Sequence, residues 1–282
     1  MITLLLPMIA FLETTPPSHN LQHEVAFGKH TGEINRAVLA SVDKLQATAP
    51  EGGGYFAGVK AVPAESPIGI PLTLFGKPIL NPPRTSSYCS GASYAAFIGA
   101  IDRLLALRSF ELTADRQEAI RMQEPNGGRR EDMVKLWGWW NADGPGSLYA
   151  LVMYTKLGER ISALDAEPGD FCNIQWLRGP GHSVVFLGWD STPEGEPTMR
   201  YWSSQKGTNG IGDQTSSLAS MSGIVFTQLT RPEAIFEFDP LRKMERVKIE
   251  FDSATVVAER LKQSGGLVTR ILSQLPSQIH RY

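Results

Sequence analysis

Cys89 stands where a cysteine can become a nucleophile. It lies in Ser86-Ser87-Tyr88-Cys89-Ser90-Gly91-Ala92, at the predicted start of a helix. The preceding Asn81-Pro82-Pro83-Arg84-Thr85 carries prolines and capping residues and resists helix. Beyond the cysteine, Ala92, Ala95, Ala96, Phe97, Ile98, Ala100, Ile101, Leu104 and Leu105 are apolar nearly all round, the pattern of a buried helix. A thiol at such an N-terminus feels the positive end of the helix dipole, which favours the nucleophilic thiolate. The competing reading is a small core residue, since lone cysteines are usually buried. Cys172, beside Phe171 in an apolar strand pattern, reads as core packing.

A nucleophilic thiol needs a base, and the base needs an orienting partner. His19, His23, His30 and His280 lie near the chain ends. Only His182 lies in the interior of the sequence, where it opens an apolar strand just after the turn Arg178-Gly179-Pro180-Gly181. A histidine at a turn can also be a plain surface residue. The third group should come from the next strand, where alternation puts Tyr201, Ser203 and Gln205 on one face. Gln205 and Ser203 are both able to hydrogen-bond an imidazole nitrogen, and the choice between them stays open. Beside the cysteine, the Tyr88 hydroxyl and the Cys89 backbone N–H could polarise a carbonyl oxygen; Tyr88 could equally be a half-buried aromatic.

The elements that must position these groups follow a helices-first order. Thr31 is a candidate N-cap for a helix in which Ile34, Val38, Leu39, Val42 and Leu45 recur at helical spacing. Glu51-Gly52-Gly53-Gly54 stops it; the glycine run lacks the GK[ST] ending of a phosphate loop. Short extended pieces are expected between Tyr55 and Leu80. The Cys89 helix should run to about Leu107. Further helices are expected from Thr113, over 129–140 and from Leu148 to Leu157. Trp137, Trp139 and Trp140 are either core residues or a stacking surface for a ligand. Strands are predicted at 170–176, 182–189, 198–205, 222–229 and 234–238, with 206–213 as a glycine-bearing loop. Helices followed by an antiparallel meander make an α+β pattern. Short helices are expected at 254–263 and 267–275.

Three sequence pieces carry a family resemblance: Tyr88-Cys89-Ser90-Gly91, then Pro168-Gly169-Asp170-Phe171, then Gly181-His182-Ser183-Val184-Val185-Phe186-Leu187-Gly188. Their order and content resemble the NlpC/P60 group of papain-like cysteine hydrolases, over about 88–205. The resemblance implies a papain-like NlpC/P60-type fold, with a nucleophile helix packed on an antiparallel sheet; the long helical insert between Cys89 and Pro168, which holds the tryptophans, departs from the family's pattern and is expected to reshape the substrate cleft. It also implies Cys89 as nucleophile, His182 as general base and a polar third residue, Gln205 or Ser203. The implied activity is cysteine peptidase or amidase chemistry, without cofactor or metal. Members of the group commonly cleave amide bonds in cell-wall peptides. An inactive module of the same fold that binds peptide or glycan, or an acyltransferase, is the alternative.

Composition narrows the partners. A net charge of −2 and 42% apolar residues give no footing for nucleic acid and are sufficient for a real core. Two cysteines exclude a disulfide framework, although one Cys89–Cys172 bond stays possible, and no CxxC metal motif occurs. The apolar run Ile2–Leu12 is too short to span a bilayer and suits a signal peptide or a hydrophobic leader within residues 1–16, which points to export. Residues 14–30, with three histidines, read as a mobile, solvated leader. The expected layout is a catalytic domain over 31–240 and a C-terminal helical extension over 241–282, acting on a peptide or amide substrate, peptidoglycan among the options.

Overall fold

The structure, a computed structural model, describes residues 19–20, 22–56, 68–80, 85–120, 137, 146–242 and 250–264. The expected features at 1–16, the body of the 129–140 helix with Trp139 and Trp140, and the helix at 267–275 lie outside them. In chain order the elements are α1 (His23–Phe27), α2 (Glu33–Thr48), β1 (Leu72–Leu74), β2 (Lys77–Leu80), α3 (Cys89–Leu105) and α4 (Ala114–Ile120). After a π-helical turn (Leu148–Tyr154) come β3 (Gly158–Ile161), β4 (Phe171–Trp176), β5 (His182–Ser191), β6 (Pro197–Gln205), β7 (Gly210–Ser217), β8 (Met221–Leu229), β9 (Asp252–Ser253) and α5 (Ala254–Gln263). The class is α+β. Helices supply the first half, and an antiparallel sheet in the order β3-β8-β4-β5-β6-β7 supplies the second, with β9 also on β8.

Period-two alternation gives this sheet two apolar faces. Phe171, Val185, Leu187 and Trp202 join the core made with α2 and α3. Cys172, Val184, Phe186 and Tyr201 join a second core, capped by Ala254, Val257 and Leu261 of α5. The sheet is therefore covered on both sides. Cys89 and Cys172 are both free, so no disulfide joins them. Trp137 is 1% exposed and stacks on Phe97 with ring centroids 5.1 Å apart. That makes it a core residue and removes it from the ligand-stacking reading.

The β5–β6 hairpin sets a register that matters below. Val185 pairs with Trp202 and Phe186 with Tyr201, but Gly188 pairs with Arg200, so one residue bulges between them. Gly188 takes φ +153°, in a region where glycine is favoured. Continuing the Val185–Trp202 ladder toward the strand ends sets His182 opposite Gln205.

Several sequence expectations are corrected. Gly32, not Thr31, caps α2; the Thr31 hydroxyl donates to Glu167 Oε2 at 2.9 Å. The stretch read as a loop at 206–213 is a 3-10 turn followed by β7, which pairs along the whole of β6 from Thr198–Ser217 to Gln205–Gly210. The stretch 234–238 is not a strand: Pro232–Phe236 is a 3-10 helix, started by a proline that favours a first helical turn. β3 was not foreseen. The 148–157 helix is a shorter π-helical turn.

The largest correction concerns the expected mobile leader. His23 is fully buried. Its Nδ1 donates to Asp43 Oδ1 and its Nε2 to Asp213 Oδ1, both at 2.7 Å. Asp43 also accepts the backbone N–H groups of His23 and Glu24, capping α1, while Arg200 pairs with Asp213 Oδ2 at 3.0 Å. Burial alone would lower the His23 pKa, but Asp213 and Asp43 outweigh it and raise it to about 9. His23 is thus an imidazolium tying α1 to α2 and to the sheet.

Two outcomes follow from that charge. Replacing His23 with Leu leaves buried carboxylates short of a partner and should cost about 3–5 kcal/mol in urea unfolding. The folded pKa lies above the ordinary 6.5, so the stabilisation is complete below pH 6.5 and is lost as pH rises through about 9. The stability of the native chain should therefore fall from pH 7 to 9, and that slope should flatten in His23→Leu.

Candidate active site

Cys89 is the first residue of α3, after Tyr88 in extended conformation (φ −143°, ψ 173°). The extended backbone places the thiol at the helix tip while the apolar body of α3 packs against the sheet. Ser93, one turn on, fastens the helix to the strand. Its hydroxyl meets Ser183 Oγ at 2.7 Å and accepts the Trp137 indole N–H at 3.1 Å. Ser183 follows His182, so this contact draws the helix tip to the end of β5.

The thiol is partly exposed and sits against the backbone N–H groups of Ser183, Ser90 and Cys89 itself. These N–H groups favour the thiolate, yet burial outweighs them and raises the Cys89 pKa above its ordinary value. The expectation of a thiolate stabilised by the helix end is thus corrected: the resting group is a neutral thiol. Cys172 is wholly buried and its thiol is pushed up much further.

His182, 9% exposed, lies between Trp176 (centroids 6.2 Å) and the edge of Tyr201 (5.6 Å). Burial lowers its pKa to about 4, opposed by its hydrogen bond to Gln205. Cys89 and His182 share surroundings rather than a direct bond. The Ser183 N–H is near enough to favour the Cys89 thiolate, burial first and Cys89 after it raise the Tyr201 pKa, and Tyr201 packs on the His182 ring. Catalytic hydrogen bonds of free enzymes are often long and tighten only when substrate binds.

The two rivals for the third position are placed differently. Gln205 Oε1 lies 3.3 Å from His182 Nε2. Ser203 turns to the backbone, where its hydroxyl donates to the Ser183 carbonyl at 2.7 Å. Gln205 has a defined orientation because its Nε2 donates to Thr208 Oγ1 at 2.7 Å and to the Gly212 carbonyl at 3.1 Å. With both N–H groups engaged, Oε1 faces His182 and accepts from Nε2–H. The other ring nitrogen, Nδ1, then carries the lone pair that a base needs.

Tyr88 is 4% exposed, and its buried hydroxyl has no hydrogen-bond partner among the described residues. Burial first and Cys89 second raise its pKa, so it stays a protonated donor beside the thiol. The sequence offered no sign of Tyr55. Half-exposed, it too has its pKa raised by burial and by Cys89. It arrives there because Tyr55 bridges to Ser87 and Phe56 N–H donates to the Ser87 carbonyl. The glycines before it do more than stop a helix. Ile211 N–H donates to the Gly52 carbonyl and Gly54 N–H to the Asn209 carbonyl. A Cβ on Gly210 would run into Gly52 O, so this crossing requires glycine. The crossing joins the segment before Cys89 to the loop holding Gln205. A triple glycine with no phosphate-loop ending was the available signal of such a close approach.

Among the described residues, no group of three or more His, Cys, Asp or Glu side chains is arranged to hold a metal ion, and no helix is long and apolar enough to cross a membrane. Asp170 of Pro168-Gly169-Asp170 is buried away from solvent, accepting from Asn35 Nδ2 at 2.8 Å and from the Glu167 N–H at 2.7 Å. Burial raises its pKa to about 7. It braces the entry to β4 on α2. Comparison of the chain with protein-family models, with curated proteins and with solved structures found no match.

The raised thiol and lowered imidazole pKa values set a testable pH response. Alkylation of Cys89 by iodoacetamide should stay slow through pH 7–8 and accelerate only above the ordinary thiol range. A thiolate–imidazolium pair would instead give a fast plateau extending well below pH 7.

Proposed function

We propose that this protein is a cysteine hydrolase that cleaves an amide or peptide bond through an acyl-enzyme on Cys89, within a papain-like NlpC/P60-type architecture. The observation that carries the reading is the fixed Gln205 amide on His182 Nε2. It gives a neutral imidazole with Nδ1 free to act as base, next to a strand residue whose N–H favours the Cys89 thiolate.

In this scheme the Cys89 S–H proton passes to His182 Nδ1 as the sulfur attacks the substrate carbonyl carbon. The carbonyl oxygen gains the negative charge and accepts from the Cys89 backbone N–H and the Tyr88 hydroxyl. When the tetrahedral intermediate collapses, the C–N bond breaks and His182 returns the proton to the departing amine. Water, deprotonated by the same imidazole, then hydrolyses the thioester and restores the thiol. A neutral resting pair suits this concerted proton transfer. The side chains around the two groups, Tyr55, Tyr88, Trp176, Tyr201 and Gln205, are all uncharged, which favours an uncharged acyl portion at the scissile bond. Cell-wall peptides and simple peptide amides are the first substrates to try, and an exported location would suit the former.

The test is a panel of muropeptides and peptide p-nitroanilides, read by new amine groups and by the intact mass of the protein. The native chain should release amine and show a transient acyl adduct on Cys89. Cys89→Ala should abolish both, and His182→Ala should slow turnover by roughly 10²–10⁴-fold. Full turnover in Cys89→Ala would end the proposal. Tight binding without turnover would favour a non-catalytic binding module.

A further inference from the structure

The loop that holds Gln205 is itself held from a distant part of the chain. The Thr208 hydroxyl donates to the Gly210 carbonyl at 2.5 Å. Its proton is therefore committed, and what it offers Gln205 is a lone pair. Only an N–H can sit opposite that lone pair, so Thr208 forbids the flipped amide in which Oε1 would face it. The Gly212 carbonyl, also an acceptor, enforces the same choice.

His19 then fastens Thr208. Its Nε2 lies 3.0 Å from the Thr208 carbonyl, which can only accept, so Nε2 carries the proton. The ring rests on Gly212, where an added Cβ would come within 3.0 Å of His19 Cδ2. Four residues on, His23 grips Asp213, the neighbour of Gly212. His19 and His23 thus hold both ends of the segment whose acceptors orient Gln205.

We propose that Thr208 and His19 are positioning residues for His182: Thr208 selects the orientation of the Gln205 amide, and the N-terminal segment, through His19, holds Thr208 in place. The proposal rests on the reading of Cys89, His182 and Gln205 as a hydrolytic triad. The chain of effects runs from His19 to Thr208 to Gln205 and ends at the tautomer of His182. If the Gln205 amide flips, its NH₂ faces Nε2, the ring moves its proton to Nδ1, and the lone pair for the Cys89 proton is lost.

Two measurements on the full chain test this. Long-range ¹H–¹⁵N NMR reads the His182 tautomer, and the iodoacetamide alkylation rate at pH 8 reads Cys89, with Cys172 buried and silent in the folded protein. The native chain should show the Nε2–H tautomer. Thr208→Val should convert His182 partly or wholly to the Nδ1–H form and slow alkylation by about tenfold or more, since a general base is worth 10²–10⁴-fold. Thr208→Ser, which keeps the hydroxyl, should restore both readings. His19→Ala should move both in the same direction by a smaller factor, with the melting temperature nearly unchanged. It also carries the test if Thr208→Val does not fold. A loss of stability in Thr208→Val or His19→Ala with the Nε2–H tautomer and the alkylation rate retained would assign a purely structural role and overturn the proposal. The tautomer is read without substrate, so a native chain with the Nε2–H form and no hydrolytic activity refutes the hydrolase reading alone.

Discussion

The orientation of one side-chain amide governs the chemistry available at the helix tip. A primary amide can be flipped with little change in shape, and only its hydrogen-bond partners decide which end faces where. At Gln205 the two acceptors, Thr208 Oγ1 and Gly212 O, leave no choice. From that follow the His182 tautomer and the nitrogen that can receive a proton. The β6–β7 ladder, the Gly52–Gly54 crossing and the N-terminal histidines serve this arrangement by fixing the loop that supplies those acceptors. A carboxylate in place of the amide would attract and charge the imidazole. The neutral amide orients it without doing so, in keeping with a pKa lowered to about 4.

Burial decides the electrostatics twice, with opposite results. At Cys89 and His182 it favours the uncharged forms, because the partners are N–H groups and an amide rather than full charges. At His23 two carboxylates reverse the outcome, and a fully buried imidazole holds its proton to about pH 9. The two histidines share a desolvated setting and differ in the charge of the atoms within 3.3 Å. One stays neutral and the other keeps its charge up to about pH 9, and the contrast lies in their neighbours.

The candidate site was largely legible in the sequence because its signals are local. A proline-bearing segment before an apolar helix, a histidine after a glycine turn, and alternation along the next strand each declare themselves within ten residues. The choice between Gln205 and Ser203 was not legible, since both lie on the predicted face. The two differ in what they meet, a backbone carbonyl for Ser203 and the imidazole ring for Gln205. β7 was missed because Gly210-Ile211-Gly212-Asp213-Gln214 has no apolar alternation; its extended form comes from pairing with β6. His23 was misjudged because its partners lie 20 and 190 residues away. Burial of a histidine among charges leaves no periodic trace.

The bulge at the middle of the β5–β6 hairpin has a consequence for how this site could change. On the turn side the ladder pairs Ser191 with Pro197 and Gly188 with Arg200. Extended without the bulge, that count would bring Lys206 rather than Gln205 opposite His182. Lysine has no lone pair to offer when protonated, so it could not accept from Nε2–H. Pairing Leu187 with Tyr201 in a regular ladder would therefore exchange an acceptor for a cation at the imidazole with every residue still in the chain, whereas deleting Leu187 would straighten the strand and leave His182 opposite Gln205. The identity of the group beside His182 is thus encoded partly by a register, set by the unpaired residue in β5, and a comparison of side chains alone would not reveal its loss.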